Sequence, residues 1–158
     1  MHYRSQKSKP AFWIASHCPT EIAREKFVKA LQHYIQVDAY GDCGNLTCVE
    51  AHNGRNPCVD DNALHYYFYL AFENSICPEY ITEKFWRNLN HPVVNVVLGG
   101  GNYLRDAPPH SFIDVNDFAT VKDLADYLSF LMSNPVNCTT SFIKAKDLTA
   151  FPFTRMST

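Results

Sequence analysis

Two groups of charged and polar side chains stand where they could bind an anionic ligand. One group directly follows the apolar run 68–72, and the other lies near the start of a helix predicted to begin after Pro78. Ligands of open α/β sheets bind beyond the carboxyl ends of the strands, and helix N-termini favour anions. The alternative for Glu83 and Lys84 is an ordinary solvated pair on a helix surface. The residues predicted to form a site for a phosphorylated ligand are Glu73, Asn74, Ser75, Tyr80, Glu83 and Lys84.

The elements that must position these side chains are short apolar runs alternating with amphipathic stretches. This alternation predicts an α/β fold, a Rossmann-like parallel sheet with helices on both faces, joined by right-handed crossovers. The predicted strands are residues 12–16, 35–38, 68–72, 92–98 and 111–115. The predicted helices are residues 20–34 with Thr20 as N-cap, 60–66, a stretch after Pro78 that includes Phe85, a turn at 102–105, and 120–132. The glycine run 99–101 is predicted to let the backbone approach a ligand closely.

Length and composition indicate one core-forming domain without a nucleic-acid or membrane signature. The 158 residues carry a net charge of −2, so no basic excess suggests a nucleic-acid partner. A spanning helix needs a run of about 18 apolar residues, and the sequence has none, so membrane attachment is expected only through a segment absent here. The chain is predicted to comprise a polar lead-in at 1–10, a ligand-binding domain at 11–135 and a divergent tail at 136–158.

The cysteines predict disulfides rather than a metal site. No pair forms Cys-x-x-Cys, which argues against zinc. Three cysteines lie within the loop-like stretch 43–58, as expected for disulfides in an oxidising compartment. The alternative is unpaired thiols that are simply buried, and the sequence leaves the pairing open. Asn45 and Asn137 begin N-glycosylation triplets, which matter only in the secretory pathway. The disulfide candidates are Cys18, Cys43, Cys48, Cys58, Cys77 and Cys138.

Two motifs carry a resemblance to a known family. Residues 68–75, Phe-Tyr-Leu-Ala-Phe-Glu-Asn-Ser, and 79–84, Glu-Tyr-Ile-Thr-Glu-Lys, resemble the signature of the α1,3-fucosyltransferases that use GDP-fucose. The resemblance covers roughly residues 11–133 and implies the C-terminal donor domain of a GT-B glycosyltransferase. It implies transfer of L-fucose from GDP-β-L-fucose, with inversion, to a GlcNAc hydroxyl of a glycan. It also implies a Golgi-lumenal, type II membrane protein in the full-length form.

Donor binding of this kind requires positive charge beside the diphosphate. Negative charge grows there as the sugar leaves, so a cation must be in place beforehand. The chain has no Asp-x-Asp motif, and the family works without an essential metal or other cofactor, so side chains must supply the charge. The resemblance implies that Arg24, early on the first helix, and Lys84 contact the diphosphate. The residues implied to contact ribose, fucose or base are Tyr69, Asn74, Tyr80 and Glu83, with Asp38 and Tyr40 bordering the guanine.

The sequence departs from the family in ways that limit the expected activity. Asn95 stands where the family usually has proline, and the chain begins where the family's donor domain begins. The general base is therefore expected in an N-terminal domain absent here, and the chain alone should transfer little fucose. The cysteine spacing resembles invertebrate enzymes that fucosylate the core GlcNAc of N-glycans, with N-acetyllactosamine as the other acceptor. The alternative function is a non-catalytic or decayed nucleotide-sugar-binding domain.

Overall fold

A parallel β-sheet organises the part of the chain that the computed structural model describes, residues 6–48 and 57–134. Within those ranges five strands pair in the order β2-β1-β3-β4-β5, and every pairing is parallel. The predicted α/β class is confirmed. The strands are β1 Lys9–Ile14, β2 Val37–Tyr40, β3 Tyr66–Phe72, β4 Val94–Leu98 and β5 Phe112–Asp114.

The strand order reverses direction between β1 and β3. The chain first moves outward from β1 to β2, then crosses back over β1 to β3 and continues to β4 and β5. Such a reversal opens a crevice at the carboxyl edge, the edge of the sheet at which the parallel strands end, and ligands of this fold class bind there. One row of side chains crosses the whole sheet in register, formed by Asp38, Phe12, Tyr69, Asn95 and Phe112.

Helices cover both faces of the sheet, as predicted. They are α1 Arg24–Gln32, α2 Pro57–His65, α3 Glu83–Trp86, α4 Tyr103–Asp106 and α5 Val121–Ser133, and a 3-10 turn, Arg87–Asn90, directly continues α3. On one face, α1 and α5 bury Val28, Leu31, Leu124 and Leu128 in the larger core cluster. On the other face, α3 and α4 bury Phe85 and Tyr103 against Phe12, Tyr66 and Tyr69. Each core removes the apolar face of its helices from water.

Three helix starts differ from the prediction by more than one residue. Helix α2 begins at Pro57 rather than at residue 60. Helix α1 begins at Arg24 rather than at Thr20, because Ala23 adopts a left-handed conformation with φ of 52°. Ala23 therefore occupies the N-cap position. The Thr20 hydroxyl lies before the helix, donates to the Glu25 carboxylate at 2.9 Å and accepts the Arg24 backbone N–H at 3.4 Å. Helix α3 begins only at Glu83, with Thr82 as its N-cap. Thr82 is held at the end of β3, because Glu73 accepts the Thr82 backbone N–H at 2.9 Å.

In the described ranges, no helix is both long enough and apolar enough to cross a membrane.

Candidate functional site

A cavity of about 150 Å³ lies at the crevice between β1 and β3. Its lining is contributed by β1, β3, α2, α3 and the 3-10 turn that continues α3. This is the place where the reversal of strand order predicts a ligand. The lining residues are Ile14, Val59, Tyr69, Glu83, Lys84, Arg87 and Asn88. The cavity therefore brings together three residues that the sequence predicted, Tyr69, Glu83 and Lys84.

Lys84 stands between two carboxylates that differ in exposure. Its Nζ lies 3.7 Å from Oε2 of Glu73 and 3.8 Å from Oε1 of Glu83. The Glu73 side chain is fully buried, whereas that of Glu83 is 62% exposed. The pair Glu83–Lys84 is therefore more than a solvated surface pair, because a buried carboxylate fixes the ammonium group next to the cavity.

Glu73 connects the end of β3 to the start of α3. Its carboxylate accepts the backbone N–H of Thr82 at 2.9 Å and the Thr82 hydroxyl at 2.8 Å. Gly99 makes room for this side chain, since a Cβ there would lie 2.9 Å from Cγ of Glu73. Glu73, predicted to face the ligand, is in the structure a buried positioning residue for the helix that carries Lys84.

The glycine run after β4 accommodates the chain itself. A Cβ on Gly100 would lie 2.5 Å from the Cys77 carbonyl oxygen, and a Cβ on Gly101 would lie 2.2 Å from Cγ1 of Ile81. Real Cβ atoms do not approach other atoms so closely, so only glycine lets the loop 76–82 pack against β4. These glycines therefore accommodate the chain's own loop, and their predicted approach to a ligand stays a prediction.

The other motif residues lie on the loop that follows β3 and do not line the cavity. Tyr80 is exposed, and Ser75 Oγ lies 3.4 Å from Cys77 Sγ. Asn74 is half-buried, and its Oδ1 has no hydrogen-bond partner in the described part of the chain. Arg105 of α4 pairs with Glu79 at 3.1 Å. This ion pair ties the loop to α4, although both side chains are exposed and the pair contributes little stability.

Arg24 approaches the same strand end from the opposite face of the sheet. Its Nη1 donates to the Phe72 carbonyl oxygen at 2.7 Å, and its Nη2 donates to the His17 carbonyl oxygen at 2.9 Å. Desolvation by burial lowers the pKa of Arg24 despite the nearby charges of Glu25 and Glu73. Its side chain, 1% exposed, does not line the cavity, so its predicted contact with a diphosphate would require the guanidinium group to move.

Asp38 and Tyr40 belong to a polar network on the cavity side of the sheet. Asp38 accepts hydrogen bonds from the Tyr66 hydroxyl, from Lys9 Nζ at 3.2 Å and from Gln36 Nε2 at 3.0 Å. Burial raises the pKa of Asp38, but these three bonds outweigh it and hold that pKa below its usual range. The Tyr40 hydroxyl lies 3.3 Å from the Tyr66 hydroxyl. Asp38 is thus engaged within the chain, outside the cavity lining.

Tyr69 presents a neutral phenol to the cavity. Burial raises the pKa of Tyr69 to about 12, mainly because the charged phenolate would lose its hydration. At neutral pH the hydroxyl is therefore protonated and can donate a hydrogen bond to a ligand oxygen.

Two cavity residues, Arg87 and Asn88, were missed by the sequence reasoning. They follow Glu83 and Lys84 by four positions, and residues four apart share one face of a helix. That spacing was the signal that could have found them. Arg87 adds an exposed cation to the cavity beside the half-buried Lys84, and Asn88 adds a buried amide.

A family model decides which proteins this chain is related to. Residues 4–151 match the model described as glycosyltransferase family 10 (fucosyltransferase), C-terminal part. The chain belongs to glycosyltransferase family 10. It is 44% identical over 131 residues to alpha-(1,3)-fucosyltransferase C of Drosophila melanogaster, a match that covers 83% of this chain and 30% of the relative. It is 42% identical over 129 residues to alpha-(1,3)-fucosyltransferase fut-1 of Caenorhabditis elegans, covering 81% and 29% of the two chains.

A solved family 10 structure has the same architecture. The crystal structure of an alpha1,3-fucosyltransferase with GDP-fucose superimposes with a TM-score of 0.67 and 25% identity, over 88% of this chain and 39% of the other. The chain thus spans about a third of the length of the family 10 proteins that it matches.

Asn95, the departure from the usual family 10 proline, has a structural role of its own. Its buried side chain projects from β4, and Nδ2 donates to the Phe85 carbonyl oxygen at 3.2 Å. Proline has no such donor. In this family 10 member a side-chain hydrogen bond therefore attaches α3 to the sheet one residue after Lys84.

Two disulfides connect segments of the described chain. Cys18 pairs with Cys43, joining the loops that follow β1 and β2, and Cys48 pairs with Cys58 at the start of α2. The second pair stands next to Val59, the cavity-lining residue of α2. Cys77 is a free, exposed thiol, whereas Cys138 lies outside the described residues, as does Asn137. Asn45 is exposed.

Over residues 6–48 and 57–134, no cluster of three or more His, Cys, Asp or Glu side chains is arranged to hold a metal ion.

Proposed function

We propose that this chain is the GDP-fucose-binding part of an α1,3-fucosyltransferase, a longer protein that transfers fucose to a glycan hydroxyl with inversion. The observation that carries the proposal is the cavity at the β1–β3 crevice, lined by Tyr69, Glu83 and Lys84 in a family 10 fold. The relative solved with GDP-fucose supports the choice of donor. Because the chain spans about 30% of its relatives, the activity is proposed for the whole protein and donor binding for this part.

In this proposal Lys84 provides the positive charge for the donor diphosphate. When the bond between fucose and the β-phosphate breaks, negative charge moves onto the phosphate oxygens. A cation that is already fixed nearby stabilises this charge without reorganisation. Glu73 fixes Lys84 from its buried side, Glu83 is an acceptor for sugar hydroxyls, and Tyr69 is a neutral donor.

Arg24 is proposed as a second cation for the diphosphate, in keeping with the family resemblance. A buried cation without a carboxylate partner is costly, and Arg24 forms no ion pair with any described residue. An anion at the carboxyl edge would offset that cost. Reaching it would require Nη1 and Nη2 to leave the carbonyl oxygens of Phe72 and His17.

The acceptor, the compartment and the base are further parts of the proposal. We place the protein in the Golgi lumen, because two disulfides suit an oxidising compartment. The cysteine spacing favours the core GlcNAc of N-glycans over N-acetyllactosamine as the acceptor. The general base that removes the acceptor proton is expected outside this chain, so the chain by itself is expected to bind donor without significant transfer.

Calorimetric titration of GDP and GDP-fucose into the 158-residue chain tests this function. Lys84→Ala removes a charge-assisted contact of about 1.5–3 kcal/mol and should weaken both ligands roughly 10- to 150-fold. Lys122→Ala, on the exposed side of α5, is the matched control and should leave both affinities unchanged. Urea unfolding of each variant verifies that the folded state persists.

The same titration decides the alternative, a decayed domain that no longer binds a nucleotide sugar. The favouring observation is that both terminal nitrogens of Arg24 are bound to carbonyl oxygens of the chain itself. A folded, unsubstituted chain that binds neither GDP nor GDP-fucose would support decay. Equal binding by the unsubstituted chain and by Lys84→Ala would refute the assigned role of Lys84.

A further inference from the structure

Asn88 lines the cavity with a buried side chain whose hydrogen bonding is incomplete. Its side chain is 1% exposed and lines the cavity together with Lys84 and Arg87. Nδ2 donates to the Lys84 carbonyl oxygen at 2.8 Å. Oδ1 is buried and has no hydrogen-bond partner among the described residues. The fold therefore satisfies the donor Nδ2 of the amide and leaves the acceptor Oδ1 unpaired among the described residues.

The orientation of this amide follows from its one hydrogen bond. A carbonyl oxygen accepts only from a donor, so the nitrogen, and not Oδ1, must face the Lys84 carbonyl. The unpaired group is then an acceptor. A buried acceptor without a partner costs about 1–3 kcal/mol, which is why such groups are rare in native proteins and call for an absent partner.

The chemistry of the cavity restricts what that partner can be. A phosphate oxygen carries no proton near neutral pH and would repel Oδ1. A sugar hydroxyl donates one hydrogen bond and accepts others, and the lining offers both kinds of group. Glu83 and Asn88 supply acceptors, while Lys84, Arg87 and Tyr69 supply donors.

We propose that Asn88 is a specificity-determining residue whose Oδ1 accepts a hydrogen bond from a sugar hydroxyl of the nucleotide-sugar donor. The inference rests on the proposed function, because it assumes that a donor of this kind occupies the cavity. It adds a recognition contact beyond the two sequence motifs. The hydroxyl belongs either to the ribose or to the transferred sugar, and the two sources are separable by ligand choice.

The test compares how Asn88→Ala affects ligands that differ by one sugar group. Any effect that acts through the Lys84 backbone is common to all ligands, since all carry the diphosphate. A lost hydroxyl contact adds roughly 2- to 12-fold, the range of a neutral hydrogen bond, only for ligands that possess the hydroxyl. If Oδ1 contacts a ribose hydroxyl, Asn88→Ala should weaken the binding of GDP more than the binding of 2′-deoxy-GDP or 3′-deoxy-GDP. If Oδ1 contacts a hydroxyl of the transferred sugar, Asn88→Ala should weaken the binding of GDP-fucose more than the binding of GDP.

Two further variants separate recognition from folding. Asn88→Asp keeps an acceptor oxygen and loses the donor to Lys84, so it should preserve the preference for the hydroxylated ligand even if every affinity falls. Asn90→Ala, an exposed asparagine two residues further on, is the matched control and should change no preference. Urea unfolding identifies any variant that is merely unstable.

The outcomes are distinct. An equal loss for all ligands in Asn88→Ala would overturn the proposal and leave Asn88 a structural support for Lys84 or a partner for a buried water molecule. If the unsubstituted chain does not bind GDP, the proposed function is wrong, and so is the assignment of a nucleotide-sugar hydroxyl to Asn88. The contact would be established if Asn88→Ala weakens the hydroxylated ligand more than its analogue and Asn88→Asp retains the preference for the hydroxylated ligand.

Discussion

Replacing Glu73 should destabilise this protein far more than replacing Glu83, although both carboxylates pair with Lys84. The distances to Lys84 Nζ are nearly equal, 3.7 Å and 3.8 Å. The surroundings differ, because Glu73 is fully buried and Glu83 is 62% exposed. Glu73 also accepts the N–H and the hydroxyl of Thr82, at 2.9 Å and 2.8 Å. The two glutamates therefore form a natural comparison of a buried and an exposed interaction with one lysine.

The expected magnitude follows from the partners that each substitution leaves behind. Each hydrogen bond to a charged group contributes about 1.5–3 kcal/mol, and breaking a buried ion pair costs about 3–5 kcal/mol. Glu73→Ala leaves two Thr82 donors and Lys84 without their acceptor, so we expect a loss of about 3–5 kcal/mol in the free energy of unfolding. Glu73→Gln keeps the shape of the side chain and one acceptor oxygen, so its loss in the free energy of unfolding should be smaller than that of Glu73→Ala. Glu83→Ala removes an exposed pair worth about 1 kcal/mol at most.

Urea unfolding followed by tryptophan fluorescence measures these differences. Trp13 lies in β1 and Trp86 in α3, so the signal reports on the sheet and on the helix that Glu73 anchors. Domains of this size have about 5–15 kcal/mol of stability, and a loss of the expected size is readily resolved. If Glu73→Ala and Glu83→Ala unfold with free energies equal within about 0.5 kcal/mol, the reasoning that assigns Glu73 a buried anchoring role is wrong.

Three further predictions concern stability. Gly100→Ala places a Cβ 2.5 Å from the Cys77 carbonyl oxygen, and the forced shift should cost about 1–3 kcal/mol by thermal unfolding; an unchanged midpoint would contradict this packing. Because hydrogen bonds hold the pKa of Asp38 below its usual value of about 4, they stabilise the fold above that pH and cease to do so as the pH falls through the lowered pKa. Urea unfolding at pH 7, 5 and 3 should therefore show a smaller loss toward acid in Asp38→Asn than in the unsubstituted chain, and parallel curves would refute it. Replacing Cys18 and Cys43 by serine releases a loop of 25 residues and should cost about 3.5 kcal/mol, so a variant as stable as the parent would count against the pairing.

The sequence indicated part of the cavity lining where predicted residues are consecutive. Glu83 and Lys84 line the cavity, as their position at the start of the helix after β3 indicated, and Tyr69, which the family resemblance implied, lines it as well. Arg87 and Asn88 line the same cavity, and their distance of four residues from Glu83 and Lys84 is the local signal that indicates them. Local periodicity encodes which residues share a face, so this part of the site was readable from the chain alone.

The roles of Glu73, Arg24 and Asp38 could not be read in this way. Each carries a charge that was predicted to face a ligand, Glu73 from the motif and Arg24 and Asp38 from the family resemblance, yet each is bound to other parts of the chain. Arg24 bonds to Phe72, 48 residues away, and Asp38 to Tyr66, 28 residues away. Such partners depend on which strands become neighbours, and the sequence predicts a parallel sheet without stating its order.

The alternation of strands and helices, the family and the motif at the carboxyl edge can be read from the amino-acid sequence. These properties are local, since they depend on apolar spacing and on runs of adjacent residues. The folded chain alone shows that β3 lies beside β1, which creates the cavity, and that Gly100 and Gly101 accommodate the loop 76–82. It also left Asn88 with an unpaired acceptor at that cavity. Hydrogen-bond partners and free volume arise from packing between distant segments, and no local pattern specifies them.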